Sequence, residues 1–200
     1  QYGAGALSAL RRSIYVSFLL IGTVTILLNV AVFLWLDPIL RWLQVPYDIY
    51  SLMRNYLWII FWGIVFTFLY NFYAALLRAV GDSVTPLWFL AVSVVLNIGL
   101  DFFLILVLDQ GIEGAAVATV IAQGTAASGI LLYTYKTRPE LRLHREDMCF
   151  DRSSLREITS FSTLTCVQQS VMNFGILMVQ GLVNSFGTVV MAAFAAAVKI

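Results

Sequence analysis

Five long runs without a charged side chain dominate this sequence: 13–36, 55–77, 83–100, 114–135 and 158–198. A helix crosses the hydrocarbon core of a membrane with about 20 residues, so the last run is long enough for two crossings. Only 12% of the residues are charged, and the mean hydropathy is +0.88. Soluble domains carry roughly 25% charged residues. The sequence therefore predicts an all-α polytopic membrane protein.

These runs predict five complete membrane helices and the start of a sixth. Turn-forming residues set their borders: Asp37-Pro38 ends the first helix, Gly81-Asp82 ends the second, and the stretch from Asn184 to Gly187 interrupts the last run. The predicted helices lie at about 12–36, 52–78, 84–108, 113–135 and 156–185, and the next begins near 188.

Lys and Arg are unevenly divided between the two sets of loops. One set, formed by residues 1–12, 78–83 and 136–157, holds nine of them, whereas the opposite set holds only Arg41 and Arg54. Basic residues favour the cytoplasmic side, so the first set is predicted to be cytoplasmic.

The long charged segment 137–157 belongs to this cytoplasmic set. We interpret it as a linker between a first membrane bundle, residues 1–136, and the start of a second, residues 158–200. Its composition fits equally well an ordinary cytoplasmic loop within one bundle.

Composition and motifs also exclude several functions. The formal net charge is only +1, without the clustered basic face that nucleic acid requires. Cys149 and Cys166 match neither a metal-ligand spacing nor a disulfide framework. The sequence lacks the common hydrolase, metalloprotease and phosphate-binding motifs. We therefore expect no enzyme, no cofactor and no nucleic-acid partner, but a monomer in a lipid bilayer that handles a small molecule.

One carboxylate, Asp101, lies inside an apolar run, whereas the other ten lie in loops or near helix ends. A carboxylate within the membrane costs a few kcal/mol and usually marks an ion or proton path. Asn97 lies one turn before it on the same helix face, and Thr119 is predicted at the same depth on the next helix. We predict that these three residues form a proton or cation site. The alternative is a protonated Asp101 that only hydrogen-bonds a neighbouring helix.

Four amide side chains share one face of the fifth predicted helix: Gln169, Asn173, Gln180 and Asn184. Amides that face lipid are costly, so this amide stripe is predicted to line a substrate path through a water-filled cleft. Hydrogen bonding between helices is the alternative.

Three motifs, in this order, resemble those of the multidrug and toxic compound extrusion (MATE) family, in its bacterial branch. They lie at Arg78 to Pro86, at Asn97-x-x-x-Asp101 and at Gly111 to Thr119. The resemblance covers essentially the whole chain. It implies helices three to seven and the start of helix eight of a twelve-helix antiporter with two lobes, whose first lobe contains residues 1–136 and whose second lobe contains residues 158–200.

By this resemblance, Asp101, Asn97 and Thr119 match positions that bind the coupling cation or proton. The implied protein lies in the inner (plasma) membrane and exports amphipathic, cationic organic compounds in exchange for H⁺ or Na⁺. Met172 stands where one sodium-coupled branch has glutamate, so we expect coupling in the first lobe. The alternatives are a lipid-linked oligosaccharide flippase of the same superfamily and a membrane scaffold without transport activity.

Overall fold

The structure, a computed structural model, describes residues 7–42, 47–142 and 152–184, and nearly all of them are helical. The chain divides into two compact units, residues 1–150 and 151–200. The helices are α1 (Leu7–Trp42), α2 (Tyr47–Trp62), α3 (Ile64–Ala79), α4 (Val84–Asp101), α5 (Gly111–Thr137) and α6 (Arg152–Asn184). A π-helical turn at Phe102–Val107 extends α4, and a 3-10 turn at Pro139–Leu141 follows α5.

Four stretches of the described residues are long and apolar enough to cross a membrane: Ala9–Trp42, Tyr47–Ala79, Val84–Val107 and Gly111–Thr137. They are 24 to 34 residues long, which exceeds the about 20 that a crossing needs. The predicted all-α polytopic membrane fold is confirmed. Helix α6 is not among these four. The fifth crossing therefore stays a prediction.

The end of α1 differs from the sequence prediction, because the helix continues through Asp37 and Pro38 for another turn. Proline lacks an N–H group and removes one helical hydrogen bond. Packing and polar contacts compensate here. Leu40 is completely buried, and Asp37 Oδ1 accepts hydrogen bonds from Tyr50 Oη at 3.0 Å and from Arg54 Nε at 2.8 Å.

The second predicted helix is interrupted at Gly63, where α2 meets α3. The Gly63 N–H donates to the Ile60 carbonyl at 2.8 Å, and the Phe61 carbonyl accepts a hydrogen bond from Asn29 Nδ2 at 2.7 Å. A Cβ at position 63 would lie 2.9 Å from the Ile60 oxygen and 3.0 Å from Gln123 Oε1. Only glycine therefore fits where this break approaches α5.

Helix α5 is the centre of the first unit, since it packs against α2, α3 and α4. Its buried residues are mostly small: Gly114, Ala116, Ala118, Ala122, Ala126, Ala127, Ile130 and Thr134. Small side chains let helix backbones approach closely in lipid. Gly114 and Ala118 are among these buried residues, whereas Gly111 is exposed and has a positive φ of 55° where the helix begins.

The π-helical turn begins directly after Asp101. Within it, the Leu108 N–H donates to the Phe103 carbonyl at 3.1 Å, five residues earlier. Such turns are rare and occur frequently at functional sites. Asp101 is thus the last residue of regular α-helix in α4.

Candidate functional site

Two of the three predicted cation-site residues are in direct contact. The Asn97 amide Nδ2 donates a hydrogen bond to Thr119 Oγ1 at 3.4 Å, which joins α4 to α5. Thr119 donates its own proton to the Ala115 carbonyl at 2.9 Å. Its oxygen is therefore left as an acceptor toward Asn97.

Asp101 lies one turn further along α4, on the face that carries Asn97. Its Oδ1 atom is buried, and it has no hydrogen-bond partner among the described residues. Every other buried side-chain oxygen or nitrogen in the described ranges has a hydrogen-bond partner. Burial of a polar atom without a partner is costly. A cation bound at this oxygen would supply the missing partner, and a proton on the carboxylate would remove its charge.

Four further polar residues lie on α3, α4 and α5, closer to the predicted cytoplasmic side. We call them the inner cluster: Thr67, Asn71, Ser93 and Gln123. Thr67 Oγ1 donates to Gln123 Oε1 at 2.8 Å, so this bond links α3 to α5. Ser93 Oγ donates to the Ala122 carbonyl at 3.0 Å, so this bond links α4 to α5. None of these four residues was among the site residues predicted from the sequence. The spacing of Thr67 and Asn71, four apart on α3, was the available signal.

Two cavities lie beside this cluster. The larger, of about 590 Å³, is between α1 and α3, and the smaller, of about 220 Å³, is between α3, α4 and α5. Pockets of about 300–1,000 Å³ hold small organic molecules. The smaller cavity is lined by Thr67, Tyr70, Asn71, Leu90, Ser93, Gln123 and Ala126.

The amide stripe belongs to the second unit. Gln169 Nε2 donates a hydrogen bond to Asn173 Oδ1 at 3.4 Å, and both residues are exposed. Their shared helix face follows from this contact. Gln180 and Asn184 continue the helical backbone of α6, but their side chains lie outside the described residues.

A second polar constellation lies where α3 ends and α4 begins. Asp82 accepts hydrogen bonds from the Thr85 N–H at 3.0 Å and the Thr85 hydroxyl at 2.8 Å, and it pairs with Arg138 at 3.5 Å. These bonds, first of all the one from the Thr85 backbone, hold the pKa of Asp82 below its ordinary value against the opposing effect of burial. The start of α1 is also anchored at this end of the unit, because Arg11 Nε donates to the Glu140 carbonyl at 3.0 Å.

Known proteins resemble this chain in sequence and in fold. The MatE family model matches residues 1–103. The probable multidrug resistance protein YpnP of Bacillus subtilis is 37% identical over 160 residues, which cover 80% of this chain and 36% of YpnP. The probable multidrug resistance protein NorM of Thermotoga maritima is 32% identical over 135 residues, 66% of this chain and 29% of NorM.

The fold also matches a solved transporter structure. The bent form of the Vibrio cholerae MATE transporter VcmN superimposes with a TM-score of 0.78 over 96% of this chain and 46% of VcmN, at 23% identity. The chain spans about a third of the length of the curated relatives and about half of VcmN. Since the family model covers half of the chain and the helical fold agrees, this multi-pass membrane protein belongs to the MATE family, whose members are transporters and not enzymes.

Proposed function

We propose that this chain is part of an antiporter that exports amphipathic, cationic organic compounds in exchange for H⁺ or Na⁺. One observation carries the coupling part of the proposal: the buried Asp101 Oδ1, which has no hydrogen-bond partner within the described ranges, lies one turn from the Asn97 to Thr119 hydrogen bond. The names of the curated relatives, which are probable multidrug resistance proteins, support drugs as the substrate class.

The coupling step follows from the chemistry of these three side chains. Asp101 supplies the charge that attracts a proton or a cation, because a carboxylate within a membrane is otherwise costly. Asn97 donates through its amide nitrogen, so its carbonyl oxygen is free to face a cation beside Asp101. The bound cation favours one packing of the helices and its release favours the other, and this switch is the conformational change that alternating access requires.

The substrate would meet the amide stripe of α6. Gln169 and Asn173 present uncharged donors and acceptors, and their neighbours on α6 are exposed apolar side chains such as Phe174 and Met172. An amphipathic compound needs both kinds of contact. We place Gln180 and Asn184 on the same path from the helical spacing alone.

The proposed transporter lies in the plasma membrane as a monomer, with residues 137–157 as a cytoplasmic linker between its two lobes. Cys149, which lies outside the described residues, tests this orientation. In intact cells, a membrane-impermeant thiol reagent added from outside should leave Cys149 unlabelled in a Cys166→Ser background. Labelling of the folded protein would reverse the topology.

The function is tested with the purified full-length protein that contains this chain, reconstituted into vesicles. An imposed H⁺ or Na⁺ gradient should drive uptake of a cationic dye such as ethidium, and adding the dye should accelerate dissipation of that gradient. Protein that binds no dye and dissipates neither gradient would contradict transport and favour a scaffold. Movement of a lipid-linked oligosaccharide instead of the dye would favour a flippase.

A further inference from the structure

The inner cluster continues the polar face of the cation site toward the predicted cytoplasmic side. Ser93 lies four residues before Asn97 on α4, and Gln123 lies four residues after Thr119 on α5. Four residues of helix correspond to about 6 Å along its axis. The inner cluster is therefore one helical turn deeper than the Asn97 to Thr119 hydrogen bond.

The hydrogen bonds of this cluster leave polar atoms free. Asn71 Nδ2 donates to the Thr67 carbonyl at 2.9 Å, and Thr67 Oγ1 donates to Gln123 Oε1 at 2.8 Å. Among the described residues, the Asn71 carbonyl oxygen and the Gln123 amide nitrogen then have no partner. Both residues line the smaller cavity, whose 220 Å³ far exceeds the about 30 Å³ of one water molecule.

The two cavities share a wall, because Thr67 and Asn71 line both of them. The larger cavity extends along α1 from Thr25 to Ser13, and twelve helical residues correspond to about 18 Å. Ser13 lies two residues from Arg11, which binds the Glu140 carbonyl at the predicted cytoplasmic end.

We propose that the inner cluster is a second, hydrated cation site, through which the coupling cation passes from Asp101 into the α1–α3 cavity and on to the cytoplasm. This inference rests on the proposed antiport function. No charged side chain lines either cavity in the described part of the chain. Neutral hydroxyl and amide oxygens together with water suit a monovalent cation that must bind weakly enough to leave. Asp101 remains the site of tight binding, and the inner cluster the site of passage.

Cysteine accessibility tests the hydration of this route without depending on transport. In the full-length protein with Cys149→Ser and Cys166→Ser, we introduce Asn71→Cys or Gln123→Cys and add a cationic methanethiosulfonate reagent to the predicted cytoplasmic side of vesicles. Both should react. Thr125→Cys is the matched control, because Thr125 lies on the surface of the candidate membrane span of α5 and lines neither cavity. Lipid should exclude the charged reagent there, so this cysteine should stay unlabelled. If Gln123→Cys does not fold, Ala126→Cys replaces it on the same cavity wall.

Gradient-driven dye transport by Thr67→Val tests passage. The substitution keeps the side-chain shape and removes the hydroxyl oxygen that would contact the passing cation. Because contacts with a charged group are stronger than neutral hydrogen bonds, the transport rate should fall about tenfold. The equilibrium affinity for the dye should not change, and Thr125→Val should transport normally. The route would be overturned if neither cysteine reacts, if both react only as much as Thr125→Cys, or if Thr67→Val transports at the wild-type rate. None of these results would contradict antiport itself. Wild-type protein that responds to neither gradient would overturn the proposed function, and the route with it.

Discussion

The Asn97 amide donates a hydrogen bond to the Thr119 hydroxyl across the interface of α4 and α5. The distance of 3.4 Å exceeds the usual 2.7–3.2 Å range of such bonds. Thr119 holds a shorter bond of 2.9 Å to the Ala115 carbonyl of its own helix. The interhelical bond is therefore the weaker of the two, and breaking it should cost little.

Thr119→Val should separate coupling from stability. The variant loses two hydrogen bonds, the weak one from Asn97 and the one to the Ala115 carbonyl, and each loss should lower the free energy of unfolding by about 0.5–1.5 kcal/mol. The rate of gradient-driven transport should fall by more than this loss of stability explains, because the hydrogen-bond acceptor beside Asn97 is lost. Thermal unfolding in detergent and vesicle transport measure the two effects. Thr125→Val is the control, since the Thr125 hydroxyl donates only to Ile121 of its own helix; equal transport by both variants would remove Thr119 from the coupling site.

The helix break at Gly63 predicts a steric effect. Gly63→Ala should lower the free energy of unfolding by about 1–3 kcal/mol, as overpacking does, because the new Cβ would lie 2.9 Å from the Ile60 carbonyl oxygen. Gly99→Ala is the matched control, since nothing lies within 4 Å of its Cβ position. It should be neutral or slightly stabilising. Equal thermal unfolding temperatures for the two variants would show that the break tolerates a side chain.

Asp82 predicts a pH dependence of stability. Its pKa is lowered by the hydrogen bonds from Thr85 and the contact with Arg138, so it contributes stability above its unfolded-state pKa of about 4. That contribution is lost as the pH falls through the lower folded-state pKa. Asp82→Asn should therefore lower the free energy of unfolding at pH 7. This loss should have its full value at pH 7 and become progressively smaller below about pH 4.

Thermal unfolding between pH 7 and pH 3 measures this difference. Asp109→Asn is the control, because Asp109 is exposed and has no partner among the described residues, and asparagine tolerates its positive φ of 50°. A destabilisation by Asp82→Asn that is independent of pH would contradict the assignment.

The amide stripe predicts a change in selectivity. Asn173→Leu keeps the size of the side chain and removes its hydrogen-bonding groups, so resistance of cells to individual compounds should change by about two- to tenfold in a compound-dependent way. Thr163→Val is the control, because the Thr163 hydroxyl donates to the Thr159 carbonyl of its own helix, and it should leave the profile unchanged. A uniform loss for every compound together with lower protein abundance would favour packing over substrate contact.

The sequence predicted the fold well because length and hydropathy determine membrane helices. It missed three local features. Helix α1 passes through Pro38 since tertiary contacts of Asp37 and Leu40 outweigh one lost hydrogen bond. The break at Gly63 and the π-helical turn after Asp101 depend on how neighbouring helices pack, which apolar periodicity does not encode.

The candidate site was partly predictable for the same reason. Depth along each helix predicted that Asp101 and Thr119 lie level, whereas Thr119 contacts Asn97, one helical turn before Asp101. The sequence did not predict that the inner cluster forms one site, because Thr67 and Gln123 are far apart in sequence. Only the approach of α3 to α5 brings them together. The coupling role of Asp101, Asn97 and Thr119 stays a prediction.

The most direct test of the central claim is gradient-driven transport by Asp101→Asn. Asparagine keeps the side-chain shape and removes the ionisable group, so the full-length variant in vesicles should transport dye no faster with an H⁺ or Na⁺ gradient than without one. Equilibrium binding of the dye should remain within a few fold of wild type, because the amide stripe is untouched. Transport by Asp101→Asn at the wild-type rate under both gradients would contradict the coupling role of Asp101.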